Sequence, residues 1–177
     1  EGRAVGVVIE SGIESGKGAV ATILITEGRL NKGDLIIAGE EFGKARILMN
    51  ENNKELDFVT PSMPVRVFGL SSTPNAGDEM RVVRNDKQGK EISSIRKDRN
   101  RTNKLNDQQV LKMKNFMEEP MDSSKTTISL IVKADVQGSV EAIRDALLKL
   151  STDEIVVDIL SSGVGGISES DINLATA

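Results

Sequence analysis

Over residues 4–84 the apolar positions come in short runs that alternate with polar or small residues, the period of two that lets a pleated strand bury one face. Six runs stand out: Ala4–Glu10, Ala19–Thr26, Asp34–Ala38, Lys44–Leu48, Val65–Leu70 and Met80–Arg84. Turn chemistry falls between several of them, at Asn31-Lys32-Gly33-Asp34 and Pro74-Asn75-Ala76-Gly77-Asp78, where each Gly-Asp pair is placed to turn the chain into the next strand. Short, regularly spaced strands of this kind predict a small closed barrel, which leaves no exposed sheet edge.

Beyond Asp86 the pattern changes. To about Lys104 the apolar positions thin out to Ile92 and Ile95 while Lys90, Arg96, Lys97, Arg99 and Arg101 accumulate, which predicts a solvated linker helix. Asn100, Asn103 and Asn106 lower helix propensity, and a second short amphipathic segment, Val110–Met117, is expected to end at Pro120. Thr127–Ala134 is a nearly continuous apolar run with the look of a buried strand, followed by a turn at Asp135-Val136-Gln137-Gly138. A helix is expected from near Ser139, with Val140, Ile143, Leu147 and Leu150 forming one stripe against a sheet, and Ile155–Leu160 reads as the next, parallel strand. The loop Ser161–Gly166 then leads to Ser168 and Asp171, which have capping-box spacing for another helix. The resulting fold class is multi-domain, β plus α/β: a barrel over 1–85, a charged helical linker over 86–126, and an incomplete α/β/α unit with parallel strands over 127–177.

Composition narrows the chemistry. The hydrophobic fraction is 38%, but there is no Trp or Tyr and only four Phe, so Val, Ile and Leu must fill the cores. Few rings argue against an aromatic platform for single-stranded nucleic acid. The absence of Cys and His removes disulfides, thiolate metal sites, and the commonest general base and metal ligand. No apolar run approaches the roughly 20 residues of a membrane span and the first residues do not resemble a signal sequence, so a cytoplasmic location and no membrane partner are expected. The net charge of −4 is unevenly spread, with −2 over residues 1–85, +5 over 86–114 and −7 over 115–177. The lack of an initiator Met and the stop at Ala177 within a helical pattern lead us to expect a portion of something longer.

Three loops invite a functional reading. Gly12-Ile13-Glu14-Ser15-Gly16-Lys17-Gly18 resembles a phosphate-binding loop only superficially, because Ser11 stands where the first Gly is needed and Gly18 where a magnesium-binding hydroxyl is needed; it reads as a hairpin turn. Gly163–Gly166 opens a helix but lacks the full dinucleotide pattern, and reads as a strand-to-helix turn. Asp135, Gln137, Gly138 and Ser139 form either a tight structural turn or an interdomain contact. Among the barrel cations, Lys44 and Arg46 flank Ala45 and share one strand face, while Arg29 and Lys32 crowd the preceding turn. These four either clamp RNA phosphates or belong to an ordinary solvated surface.

The run Leu130–Ile143, with Leu150–Glu154 and Ser162–Asp171, closely resembles bacterial translation initiation factor two. Upstream, Gly18–Thr22, Lys32-Gly33-Asp34, Ala38–Gly43, Pro61–Val65 and Gly69-Leu70-Ser71 resemble that family's second domain, in the same order. The resemblance implies a parent GTPase that places initiator tRNA on the small ribosomal subunit and promotes subunit joining. It implies that the barrel meets small-subunit ribosomal RNA, and that the last part lies between the nucleotide end and the tRNA-binding end. GTP and magnesium would be bound by a GTPase domain whose motifs these residues lack, and initiator tRNA only by a further C-terminal domain. No cofactor or metal, and no catalysis, is expected of this stretch; its partners would be the small subunit, its RNA and the parent's other domains. The rival readings are a freestanding α/β enzyme using Asp135, Ser139 and Ser162, and a generic RNA-binding barrel.

Overall fold

The computed structural model describes residues 2–118, 126–152 and 154–176. In chain order the first part forms β1 (Val5–Glu14), β2 (Gly18–Glu27), β3 (Leu30–Asn31), β4 (Leu35–Ala38), β5 (Glu41–Met49), β6 (Phe58–Val59), β7 (Pro64–Leu70) and β8 (Glu79–Val82). Six of these close a barrel in the order β1-β2-β7-β5-β4-β8, with β8 pairing back onto β1 and every pairing antiparallel. The remaining two, β3 and β6, form a short ribbon of their own that the sequence pattern does not show. Alternation sets the interior: Ala21, Ile23 and Ile25 from β2, Val65 and Val67 from β7, and Ile36 and Ala38 from β4 are buried in one aliphatic core.

Two departures from alternation shape the wall. Ala45 and Leu48 on β5, and Val67 and Leu70 on β7, all reach the core although each pair is three residues apart. An extra residue must therefore be absorbed on each strand, and the register between β5 and β7 does shift between Gly43 and Ile47. Glycine makes the bulge possible. Gly69 lies at φ +114, and a Cβ there would sit 2.2 Å from the Lys44 carbonyl oxygen, while a Cβ at Gly43 would sit 2.2 Å from that of Gly69.

The charged region differs from its expected form. Instead of two segments interrupted at Asn100–Asn106, one helix, α1, runs from Asp86 to Glu118, about 50 Å at 1.5 Å per residue. The three Asn cost only tenths of a kcal/mol each in propensity, too little to break a helix already nucleated and capped. Asn85 supplies the cap, its Oδ1 accepting the Gln88 N–H at 2.7 Å. The expected stop at Pro120 lies outside the described residues. Nor is the helix merely solvated: its first half packs on the barrel, with the Ser93 hydroxyl donating to the Glu40 carbonyl at 2.6 Å and Arg96 donating to the Gly39 carbonyl. Lys97 pairs with the buried carboxylate of Glu41 at 3.0 Å, Ser71 donates to the same carboxylate, and Gly89 lies flat against the Phe42 ring.

The last part holds two parallel strands, β9 (Thr126–Ala134) and β10 (Ile155–Val164), joined through the helix α2 (Gln137–Leu148) and followed by α3 (Glu169–Thr176). β10 extends through Val164, so most of the expected loop Ser161–Gly166 is strand, because Ser161–Val164 pair in register with Ile131–Ala134. The expected stripe on α2 is only partly used. Val140 is buried, Ile143 is 42% exposed, and Leu150 falls beyond the helix and is 67% exposed. Two strands offer too narrow a sheet to cover a whole helical face.

At the start of α3 the capping box forms as spaced: Ser168 donates from its N–H and hydroxyl to Asp171 Oδ2 at 2.8 and 2.7 Å. Lys133 completes the cluster at 3.0 Å from Asp171 Oδ1. The Ser168 hydrogen bonds first, and then Lys133, hold the Asp171 carboxyl down to about 2 from 3.8. A depressed folded pKa stabilises the fold above the unfolded value, so the α3 cap should hold constant above pH about 4 and loosen as the pH falls towards about 2. Backbone amide shifts of α3 followed over that window should show this transition, and Asp171→Asn should remove it.

Candidate nucleic-acid interface and domain seam

The outward face of β5 carries the cations picked out by alternation. Lys44 and Arg46 are both exposed on either side of buried Ala45. The glycine bulge sets their position, since the backbone at Lys44 and the stem of Arg46 pass directly over Gly69. Beside them, the Asn31–Asp34 turn is tied to the strand by Gly33 N–H to the Ala45 carbonyl at 2.7 Å and Ala45 N–H to the Asp34 carbonyl at 2.9 Å. The Lys44 stem lies 3.8 Å from the Cβ position of Gly33, against the turn that also carries Lys32.

The four expected cations are not equivalent. Lys32 is engaged by Glu55 at 2.5 Å in an exposed pair, whose hydrogen bond and charge raise the lysine pKa. Such a solvent-exposed pair is weak and yields readily to a stronger anion. Among the described residues, Lys44 and Arg46 form no ion pair. Arg29 belongs elsewhere: its guanidinium stacks 3.7 Å from the centroid of the Phe58 ring, and it faces a different recess together with Arg3 and Arg84. The sequence pattern passed over Arg3 and Arg84. The available signal was barrel closure, which brings the first and last strands together, here with Val82 N–H on the Ala4 carbonyl at 3.1 Å.

The Asp135 loop lies against the barrel wall. Val136 forms an antiparallel bridge with Gly12 of β1, and a Cβ on Gly12 would stand 2.8 Å from the Asp135 carbonyl oxygen. Gly138 faces the Glu10 carboxylate, with a Cβ-to-oxygen distance of 4.0 Å. Gln137 opens α2, two residues earlier than expected, and its amide donates to Glu141 at 3.1 Å along the helix; Ser139 is half-buried in the first turn. Among the described residues, no hydrogen bond joins Asp135, Ser139 and Ser162, the three groups an enzyme reading would need. At the N-terminus of α3 the anion is the chain's own Asp171 carboxylate.

Residues 3–83 match the family model for elongation factor G domain 2, and residues 102–177 match that for translation-initiation factor 2. The translation initiation factor IF-2 of Proteus vulgaris is 48% identical over all 177 residues, which span 19% of its length. The crystal structure of GDP-bound aIF5B from Aeropyrum pernix aligns with 98% of this chain and 28% of its own, at 22% identity and a TM-score of 0.44. No helix among the described residues is long and apolar enough to cross a membrane. With a barrel of the elongation-factor kind running into a region of the initiation-factor kind, and nearly half its residues shared end to end with one such factor, the chain belongs to the translation initiation factor 2 family.

Proposed function

We propose that this stretch is the non-catalytic docking and relay portion of a cytoplasmic translation initiation factor. The β5 face carrying Lys44 and Arg46 docks on ribosomal RNA of the small subunit, with Lys32 released from Glu55 to join it. The observation that carries the reading is the pair of outward cations beside the Gly43–Gly69 bulge, which form no ion pair among the described residues and so meet phosphate without giving up a partner. Relay rests on two attachments of the barrel: the first half of α1 at the β4–β5 turn, and the Asp135–Ser139 loop against β1. A movement of the barrel is thereby passed to both the helix and the α/β unit, between a GTPase domain that holds GTP and magnesium and a domain that holds initiator tRNA.

Reversing both charges, Lys44→Glu with Arg46→Glu, should weaken binding to small subunits by roughly tenfold or more and flatten its salt dependence by about one counterion per lost contact. Binding is titrated at two salt concentrations. The control reverses Arg99 and Arg101, two exposed helix cations without a bond to the barrel. Equal losses in both variants would reduce the effect to nonspecific attraction, and a loss confined to the control would move docking onto the helix.

A further inference from the structure

Glu10 faces outward because β1 carries one residue more than its partner. Val8 pairs with Ile23 and Glu10 with Thr22, so Ile9 has no partner on β2. Alternation alone would turn Glu10 inward with Val8; the bulge instead leaves Ile9 and Glu10 both exposed and returns Ser11 to the interior. The next residues fix the approach to the α/β unit. Gly12 bridges Val136, and Ile13 Cδ1 lies 3.5 Å from the Cβ position of Gly165. β1 thus touches the segments that follow both parallel strands, the end of a parallel sheet at which α/β folds take ligands.

The helix that starts there has no cap of its own. Val136 supplies no side-chain acceptor and the first turn of α2 holds no acidic residue, although a helix N-terminus favours negative charge. Beyond the backbone of α2 itself, the one atom within 4 Å of the Gly138 Cβ position is Glu10 Oε1, at 4.0 Å. Glu14, Asp135 and Arg66 line the same seam. Glu14 is engaged by Arg66 at 2.8 Å, and Asp135, ahead of the cap, makes no side-chain hydrogen bond to the turn among the described residues.

We propose that Glu10 is a cap supplied in trans: a barrel carboxylate that completes the first turn of α2 and latches the barrel to the α/β unit by charge. The turn is firm while the two are docked and loosens when they part. This gives the relay its contact and rests on that reading for its use in the factor; the latch is measured in the free chain and RNA docking by the β5 variants, so either can fail alone. The test is hydrogen exchange of the 177-residue chain at the Val140, Glu141 and Ala142 amides, which close the first turn, together with distances between spin labels on β2 and α2. Glu10→Gln should speed exchange roughly two- to fivefold and broaden the distances. Added salt should do the same to the parent chain and little to the variant. Glu10 is exposed, so the melting temperature of the barrel should hold. Adding Ser139→Asp to Glu10→Gln gives the first turn a carboxylate from α2 itself, which should restore slow exchange and leave the distances broad. In a chain that keeps Glu10, Ser139→Asp should push the two units apart by like charge. The control, Glu27→Gln, removes an exposed carboxylate at the open end of the β1–β2 hairpin and should change neither readout. Unaltered exchange in Glu10→Gln, or an equal change in Glu27→Gln, would overturn the proposal. So would a Ser139→Asp rescue that leaves exchange fast, or one that narrows the distances as well.

Discussion

Gly69→Val should destabilise the barrel by more than about 3 kcal/mol, the largest effect expected of any single substitution outside the core. Two costs combine at this position. Gly69 sits at φ +114, where a β-branched residue is strained whatever the space, and its Cβ would collide with the Lys44 carbonyl at 2.2 Å. The neighbouring strand β5 could retreat only by giving up its pairing with β7, since Gly43, next to Lys44, is packed as closely on the Gly69 carbonyl. Urea unfolding measures the loss. Gly77→Ala is the control, since Gly77 has a similar positive φ of +84 but nothing within 4 Å of its Cβ position. It should lose only about 1 kcal/mol, from backbone conformation alone. Equal losses at the two sites would mean that the bulge tolerates a side chain, and with it that the positions of Lys44 and Arg46 do not depend on it.

Gly89→Leu should detach the first half of α1 from the barrel while leaving the helix itself intact or stronger. Leucine is the better helix former by up to about 1 kcal/mol, so on propensity alone the variant gains. Docking is lost because a Cβ at Gly89 would lie 2.1 Å from Phe42 Cε2. Overpacking of this kind costs about 1 to 3 kcal/mol. Its larger consequence is the separation of Lys97 from Glu41, whose side chain is 7% exposed and would be left with the Ser71 hydroxyl alone. Circular dichroism should show helix content preserved. Trypsin should cut faster at Arg96, Lys97 and Arg99, and spin labels on β5 and α1 should report a broadened distance distribution. Unchanged cleavage together with unchanged distances would refute the clamp, and the relay would then have to run through the Gly12–Val136 seam alone.

What the sequence determined by itself was everything carried by a short repeating period. Alternation placed the six barrel strands and turned Lys44 and Arg46 outward around Ala45, because a pleated backbone offers only two faces and the core claims one. Ser168 and Asp171 announced their cap at a fixed spacing. Features formed where distant segments meet carry no such local signal. The bulges opposite Gly43 and Gly69 add one residue to a strand, and an added residue carries no pattern until its partner strand is known. The docking stripe on α1 has helical spacing at Gly89, Ser93, Lys97 and Asn100, but it is made of glycine and polar groups, so a search for apolar periodicity passes over it. β10 lengthens through Val164 because β9 presents unpaired backbone groups at that level. Arg3 and Arg84 stand 81 positions apart in the chain, and share one recess only because the barrel closes. Local periods report which face of an element is buried; the partners that bury it, and the charges brought together at the seams, are set by closure and docking of the whole chain.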